Sequence, residues 1–154
     1  MTAADVQWGQ GWDDRPIYPI LTARLGRSVE VVAAAPALIV PTHWHEDQKR
    51  TLPCPGKARG CYLCDRIRAR PKGYLAAWYG HGKKVVVEVT EGAMRALPEL
   101  RTPACVGHWY RFERRGQRAN GSLFVVVMER PGLSEYPLPH DIKPTLLTMW
   151  GLPD

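Results

Sequence analysis

Three cysteines and two histidines carry the most specific chemistry in this chain. Cys54, Cys61 and Cys64 form the pattern Cys-x6-Cys-x2-Cys, and His43-Trp44-His45 stand shortly before them. A Cys-x2-Cys pair sets two thiolates on one turn, which suits a tetrahedral ion. Zinc takes sulfur and imidazole together, and four protein ligands close a structural site. Three thiolates with His43 or His45 complete Cys3His. If Trp44 turns toward a core, both histidines share the opposite strand face, so the spacing leaves the choice open. Residues 53–61, Pro-Cys-Pro-Gly-Lys-Ala-Arg-Gly-Cys, are rich in turn formers and have little apolar content. Such a loop is expected to be held by metal instead of by a core.

Competing chemistries fit less well. The N-terminus lacks a basic stretch followed by an apolar one, and no apolar run approaches the 18 residues of a membrane span. A cytoplasmic protein with no membrane partner is therefore expected, and a disulfide is disfavoured there. No thioredoxin-like βαβ setting surrounds the Cys-x2-Cys. A zinc deaminase needs His-x-Glu and Pro-Cys-x-x-Cys. Here Glu46 follows His45 directly and Gly60 precedes Cys61. The acids near the cluster are Glu46, Asp47 and Asp65, and their only concentration, His45-Glu46-Asp47, reads as a polar helix start instead of the carboxylates of an open nuclease metal site. The chain is not expected to be an enzyme. Cys105, in Pro-Ala-Cys-Val, reads as a small buried hydrophobe.

The charge is segregated around the same cluster. The chain has 154 residues, with Lys+Arg 21 against Asp+Glu 15 and a net charge of +6. In residues 49–84, Lys49, Arg50, Lys57, Arg59, Arg66, Arg68, Arg70, Lys72, Lys83 and Lys84 face a single acid, Asp65, so the rest of the chain is slightly acidic. A basic block on an acidic body is the footprint of a polyanion partner. Trp44, Tyr62, Tyr74, Trp78 and Tyr79 interleave with it, and His108-Trp-Tyr-Arg-Phe112 adds further rings. Strand alternation puts Trp109 and Arg111 on one face, opposite Tyr110 and Phe112, which read as core. Cations for phosphates and flat rings for unpaired bases are what single-stranded nucleic acid requires. The ten basic residues and Arg111 are the candidates for phosphate. Tyr62, Tyr74, Trp78 and Trp109 are the candidates for bases, Trp78 and Trp109 foremost.

The elements that must position these residues are short. Gly and Pro contribute 14 residues each, which excludes a coiled coil. Strands are expected at 17–23, 28–34, 37–41, 73–79, 83–89, 106–114 and 122–129. Turns are expected at Gly80-His-Gly82 and at 115–121, where Asn120-Gly121 is a hairpin signal. Thr90 is an N-cap for a short helix that Pro98 limits. One domain, 1–154, is expected. Residues 43–72 form a zinc-loop insertion, and 131–154 form a Pro-rich, irregular C-terminal segment. Its apolar end is expected to be a strand that packs on the body, because Leu147 and Trp150 are at i,i+3 spacing and such residues ordinarily pack, with a short partner-docking peptide as the alternative. The economical architecture is mainly β, a small OB-like antiparallel barrel with one short helix and a zinc-binding loop insertion.

The order His…Cys…Cys-x2-Cys, over roughly residues 37–80, resembles the zinc loop of the T4-type phage single-stranded DNA-binding proteins, with shorter spacings. That resemblance implies an OB-fold, structural zinc on His43 or His45 and the three cysteines, and a DNA groove lined by neighbouring basic and aromatic residues. The expected function is single-stranded DNA or RNA binding beside a structural zinc loop. The alternative is a small zinc-bearing interaction subunit of a larger nucleoprotein complex, binding structured RNA or protein. A protein partner in a replication, recombination or mobile-element complex is compatible with both.

Overall fold

The computed structural model describes residues 6, 17–80, 82–115, 123–128 and 138–153. The described strands are β1 (Ile20–Leu21), β2 (Ser28–Ala33), β3 (Leu38–His45), β4 (Arg50–Pro53), β5 (Arg70–Tyr79), β6 (Lys83–Val89), β7 (Trp109–Arg114) and β8 (Leu123–Met128). Two helices accompany them, α1 (Glu91–Ala96) and α2 (Lys143–Trp150). The protein is mainly β, as expected. The strands form one mixed sheet in the order β1-β6-β5-β2-β7-β8, with β3 on β5 and β4 on β3. The expected purely antiparallel arrangement needs one correction: β1 runs parallel to β6, with Ile20 opposite Val86. The chain between β1 and β2 crosses from one edge of the sheet to its middle, which lets the two strands share a direction. No pairing among the described residues joins β8 to β6 or β1.

The sheet has a core on each face, which explains the valine-rich β6. Val85, Val87 and Val89 belong to one cluster with Val31, Leu75, Tyr110, Phe112, Leu100 and Met94. Val86 belongs to the other, with Leu38, Val40, Leu52, Tyr74 and the residues of α2. A strand covered on both sides reads as a continuous apolar run instead of an alternating one.

The first cluster is capped by α1. The Ala93 N–H donates to Thr90 Oγ1 at 3.3 Å, so Thr90 is the expected N-cap. Met94 presses so closely on β5 that a Cβ at Gly73 would lie 2.5 Å from its Sδ. Thr90→Ala is expected to cost about 1 kcal/mol, read from the denaturant midpoint with the slope unchanged.

The second cluster corrects the expected irregular C-terminus and the strand expected at its apolar end. Residues Lys143–Trp150 are helical, and Leu146, Leu147 and Trp150 are buried. Gly151 ends the helix in the left-handed region, and the Leu152 N–H donates to the Leu147 carbonyl at 2.9 Å. Trp150 packs edge-on against Tyr74, with centroids 5.7 Å apart. The Tyr18 N–H donates to Thr145 Oγ1 (2.9 Å), and the buried His140 Nε2 to the Val85 carbonyl (2.8 Å). Leu147 and Trp150 do pack on the body, as their spacing implies.

Strands β2 and β3 act as one bent strand. Val32 and Ala33 pair with Trp78 and Ala77, and beyond the bend Leu38 to Thr42 pair with Tyr74 to Arg70. The Ala34 N–H donates to the Ala76 carbonyl across the bend (2.9 Å). Strand β3 is longer than the expected 37–41 and runs directly into the metal-ligand candidates. The expected loop insertion at 43–72 is therefore partly strand, because β4 folds back on β3. The expected turns at Asn120-Gly121 and around His81, most of the 115–121 tip and residues 131–137 lie outside the described residues. Among the described residues no helix is long and apolar enough to cross a membrane.

Candidate metal centre

The β3–β4 hairpin delivers two of the candidate ligands. Thr42 pairs with Pro53 and His43 with Leu52, so His43 stands at the end of the ladder nearest Cys54. The Cys54 N–H donates to the Pro41 carbonyl at 2.7 Å, which fixes the chain as it leaves β4. A single 3-10 turn, Lys57–Arg59, then leads to the knuckle. Gly56, at φ 99, turns its N–H onto Cys54 Sγ at 3.3 Å. The Cys64 N–H donates back to the Cys61 carbonyl (3.4 Å), and the Ile67 N–H to that of Leu63 (2.8 Å).

These segments bring His43, Cys54, Cys61 and Cys64 together, with their ligand atoms all within 4.8 Å of one another. His43 Nε2 lies 3.4 Å from Cys64 Sγ, and Cys54 Sγ 3.3 Å from Cys64 Sγ. Sulfurs at about 2.3 Å from a tetrahedral zinc are about 3.8 Å apart. The cluster is thus already at the scale of a filled site, and the four residues could hold a metal ion. His43, Cys54 and Cys61 are at most 9% exposed. Burial first, and the neighbouring His45 second, hold the His43 imidazole below the usual histidine range, which favours the neutral, ligating form. The Cys64 thiol is pushed up to about 12, first by its hydrogen bond with Cys54, then by burial and by Cys61. Thiolates this close repel, and a dication among them removes that repulsion.

The structure separates the two histidines. His45 pairs with Arg50 at the turn end of the hairpin, two residues beyond His43 and so about 6.6 Å farther along the strand. Its ring meets Tyr62 edge-on at 6.3 Å and lies outside the four-residue cluster. His43→Ala is expected to abolish bound metal and His45→Ala to retain it, as measured by elemental analysis of the purified chains. Cys105 lies apart, fully buried in the first core cluster, with its thiol 3.6 Å from the Ala35 carbonyl.

A groove of about 940 Å³ opens beside the cluster. Trp44, Ile67, Arg68, Arg70, Lys72 and Arg95 are among its lining residues. Lys72 pairs with Glu88 and Arg95 with Glu91. Arg68 and Arg70 are exposed and form no ion pair among the described residues.

The other sequence-derived candidates scatter. Lys49 pairs with Glu46, and Lys57 with Asp65 at 3.2 Å. Arg50 donates to the Met149 carbonyl at 3.1 Å, tying the hairpin to the C-terminal end of α2. Arg59 and Arg66 are exposed on the knuckle, and Tyr62 is 63% exposed at its tip. Lys83 is exposed and Lys84 half-buried at the far end of β6. Trp78 and Trp109 are half-buried in one row across the sheet, each paired with Val32. Arg111 Nε lies 4.0 Å from Glu113. Tyr74 is a correction: at 1% exposure, beneath Trp150, it has no face to offer a base. Alternation correctly put Tyr74 and Trp78 on one face, but α2 covers that face at Tyr74.

Sequence reasoning left Trp44 out of the binding candidates. Alternation sets Trp44 on the face opposite its flanking histidines without saying which face is covered, and the fold leaves the ring 52% exposed. Fold and site together define a mainly β protein carrying a Cys3His candidate metal centre beside a basic groove. No family model, curated protein or solved structure matches the chain.

Proposed function

We propose that this chain is a single-stranded nucleic-acid-binding protein, built as an OB-like barrel, in which zinc on His43, Cys54, Cys61 and Cys64 stiffens the loop that carries the binding cations. The observation that carries the reading is the groove beside the cluster, where exposed arginines without ion-pair partners among the described residues, Arg68 and Arg70, lie with exposed Trp44. The three-sulfur, one-nitrogen donor set and its burial favour zinc in a closed structural site. Connectivity supports the barrel. The bent β2–β3 pairs with both β5 and β7, β5 and β6 form a hairpin, α1 joins β6 to β7, and β8 returns on β7. That connectivity is compatible with a five-stranded, partly open Greek-key barrel.

The test is an anisotropy titration of a labelled oligothymidylate at 50 and 200 mM salt. Affinity is expected to fall steeply, because each neutralised phosphate releases counterions. Affinity that stays flat across that range would refute the reading. The alternative, a zinc-bearing interaction subunit, is favoured by Tyr62 and Ile67, 63% and 58% exposed on the knuckle. It requires weak binding to free single strands.

A further inference from the structure

We infer that Trp44 is the stacking platform of the groove, taking one unpaired base next to the phosphates bound by Arg68 and Arg70, and that Glu46 is the residue that positions it. The inference rests on the single-strand reading above and names the chemistry at its centre. Trp44 is 52% exposed near the end of β3, on the face opposite His43 and His45. It lines the groove together with its cross-strand partner Thr51. Thr42 pairs with Arg70, so Trp44 and Arg68 each stand one two-residue step beyond that pair along their own segments. Ring and guanidinium therefore border the same end of the groove.

The ring is braced. Its Nε1–H donates to Glu46 Oε2 at 2.8 Å, and Glu46 Oε1 takes the ammonium of Lys49. Lys49 sits at φ 53, a left-handed conformation unusual for a residue other than glycine. Lys49 first and Trp44 second hold the Glu46 carboxyl below the usual carboxylate range, so the brace is charged at neutral pH. The polar edge of the indole is engaged while much of the ring stays exposed. A ring fixed before binding loses little freedom when a base stacks on it.

The other rings serve this role less well. Tyr74 is buried, and Tyr62 leans on His45 and does not line the groove. Trp78 and Trp109 are half-buried in the row around Val32. The ligand class is an unpaired nucleobase of any identity flanked by phosphodiesters, because every base has a π-face whereas duplex bases are already stacked.

The experiment is titration of the zinc-loaded full chain with oligothymidylate, followed by anisotropy and by tryptophan quenching. Trp44→Ala is expected to weaken binding by about 5- to 150-fold, the range that loss of one stacked base spans. Trp44→Phe should recover most of that loss, and Tyr79→Ala, at an exposed ring outside the groove, should stay within about twofold of the parent. Glu46→Ala should weaken binding and reduce the quenching, and Glu46→Gln, which keeps an acceptor for the indole N–H, should restore both at unchanged metal content. Wild-type affinity in Trp44→Ala, with binding lost in Arg68→Ala/Arg70→Ala, overturns the platform and leaves the single-strand reading standing. No binding of the oligonucleotide by the wild-type chain overturns both.

Discussion

Treatment of the purified chain with a strong chelator is expected to release one zinc per chain and to lower Tm by about 10 °C or more. No residue of 54–69 belongs to either core cluster, and Tyr62 and Ile67 are exposed, so the ligand bonds are the principal tie of the loop between Cys54 and β5. Zinc binding to small structural sites is worth on the order of 10 kcal/mol. If the apo chain recovers most of that through β3–β4 pairing, a residual third still moves Tm by about 10 °C in a domain of this size. The loss should spread in a defined direction. Leu52 lies two residues before Cys54 and packs in the cluster with Leu146, Leu147 and Trp150, while Arg50 holds the end of α2. Hydrogen exchange should therefore quicken in α2 as well as in the knuckle, and stay slow in β6 and at Tyr110. Cys64→Ala should reproduce the effect, and Cys105→Ala should leave metal content unchanged. A chain that carries no metal and melts identically with and without chelator would remove the metal centre from the account.

Replacing Arg68 and Arg70 together by alanine is expected to flatten the salt dependence of single-strand binding. For single strands the slope of log affinity against log salt is about 0.7 per neutralised phosphate, so two lost contacts reduce it by about 1.4. Between 50 and 200 mM the wild-type chain should then lose about sevenfold more affinity than the double variant. Lys72 and Arg95 line the same groove but are already paired with Glu88 and Glu91, so alanine there should change the slope less. Lys49→Ala and Lys57→Ala, at positions paired with Glu46 and Asp65, test whether any cation of the block would serve. Equal slopes for all of these variants would mean that the basic block acts as a diffuse charge and not through the groove.

Much of the fold was legible because its signals are local. Lys83–Val89 was expected as a strand with these bounds and is one, because consecutive β-branched residues disfavour a helix whatever lies around them. Thr90 was legible as a cap because its hydroxyl serves an N–H three residues on. The helix α2 was not: Pro144 in its first turn and the proline-rich stretch before it read as irregular chain. What makes 143–150 helical is the apolar surface of Tyr74, Val86 and Leu38 waiting beneath Leu146 and Trp150. The same burial removed Tyr74 from the binding candidates, since α2 occupies the face that alternation alone had left open.

At the candidate site the division falls between residue types and their partners. Cys-x2-Cys and the cysteine ahead of it mark a candidate metal site by their spacing, because two thiolates on one turn are brought together by local geometry. The concentration of cations in 49–84 is likewise readable from order along the chain. Which histidine joins the thiols was decided by the register of β3 on β4, which brings His43 to Cys54 and carries His45 two residues farther away. Which cations stay available was decided by where Glu46, Asp65, Glu88 and Glu91 fall in space, leaving Arg68 and Arg70 in the groove without ion pairs among the described residues. Composition and spacing act through neighbours along the chain. Ligand choice, free charge and the exposure of Trp44 depend on contacts between distant segments, and only the folded sheet makes those.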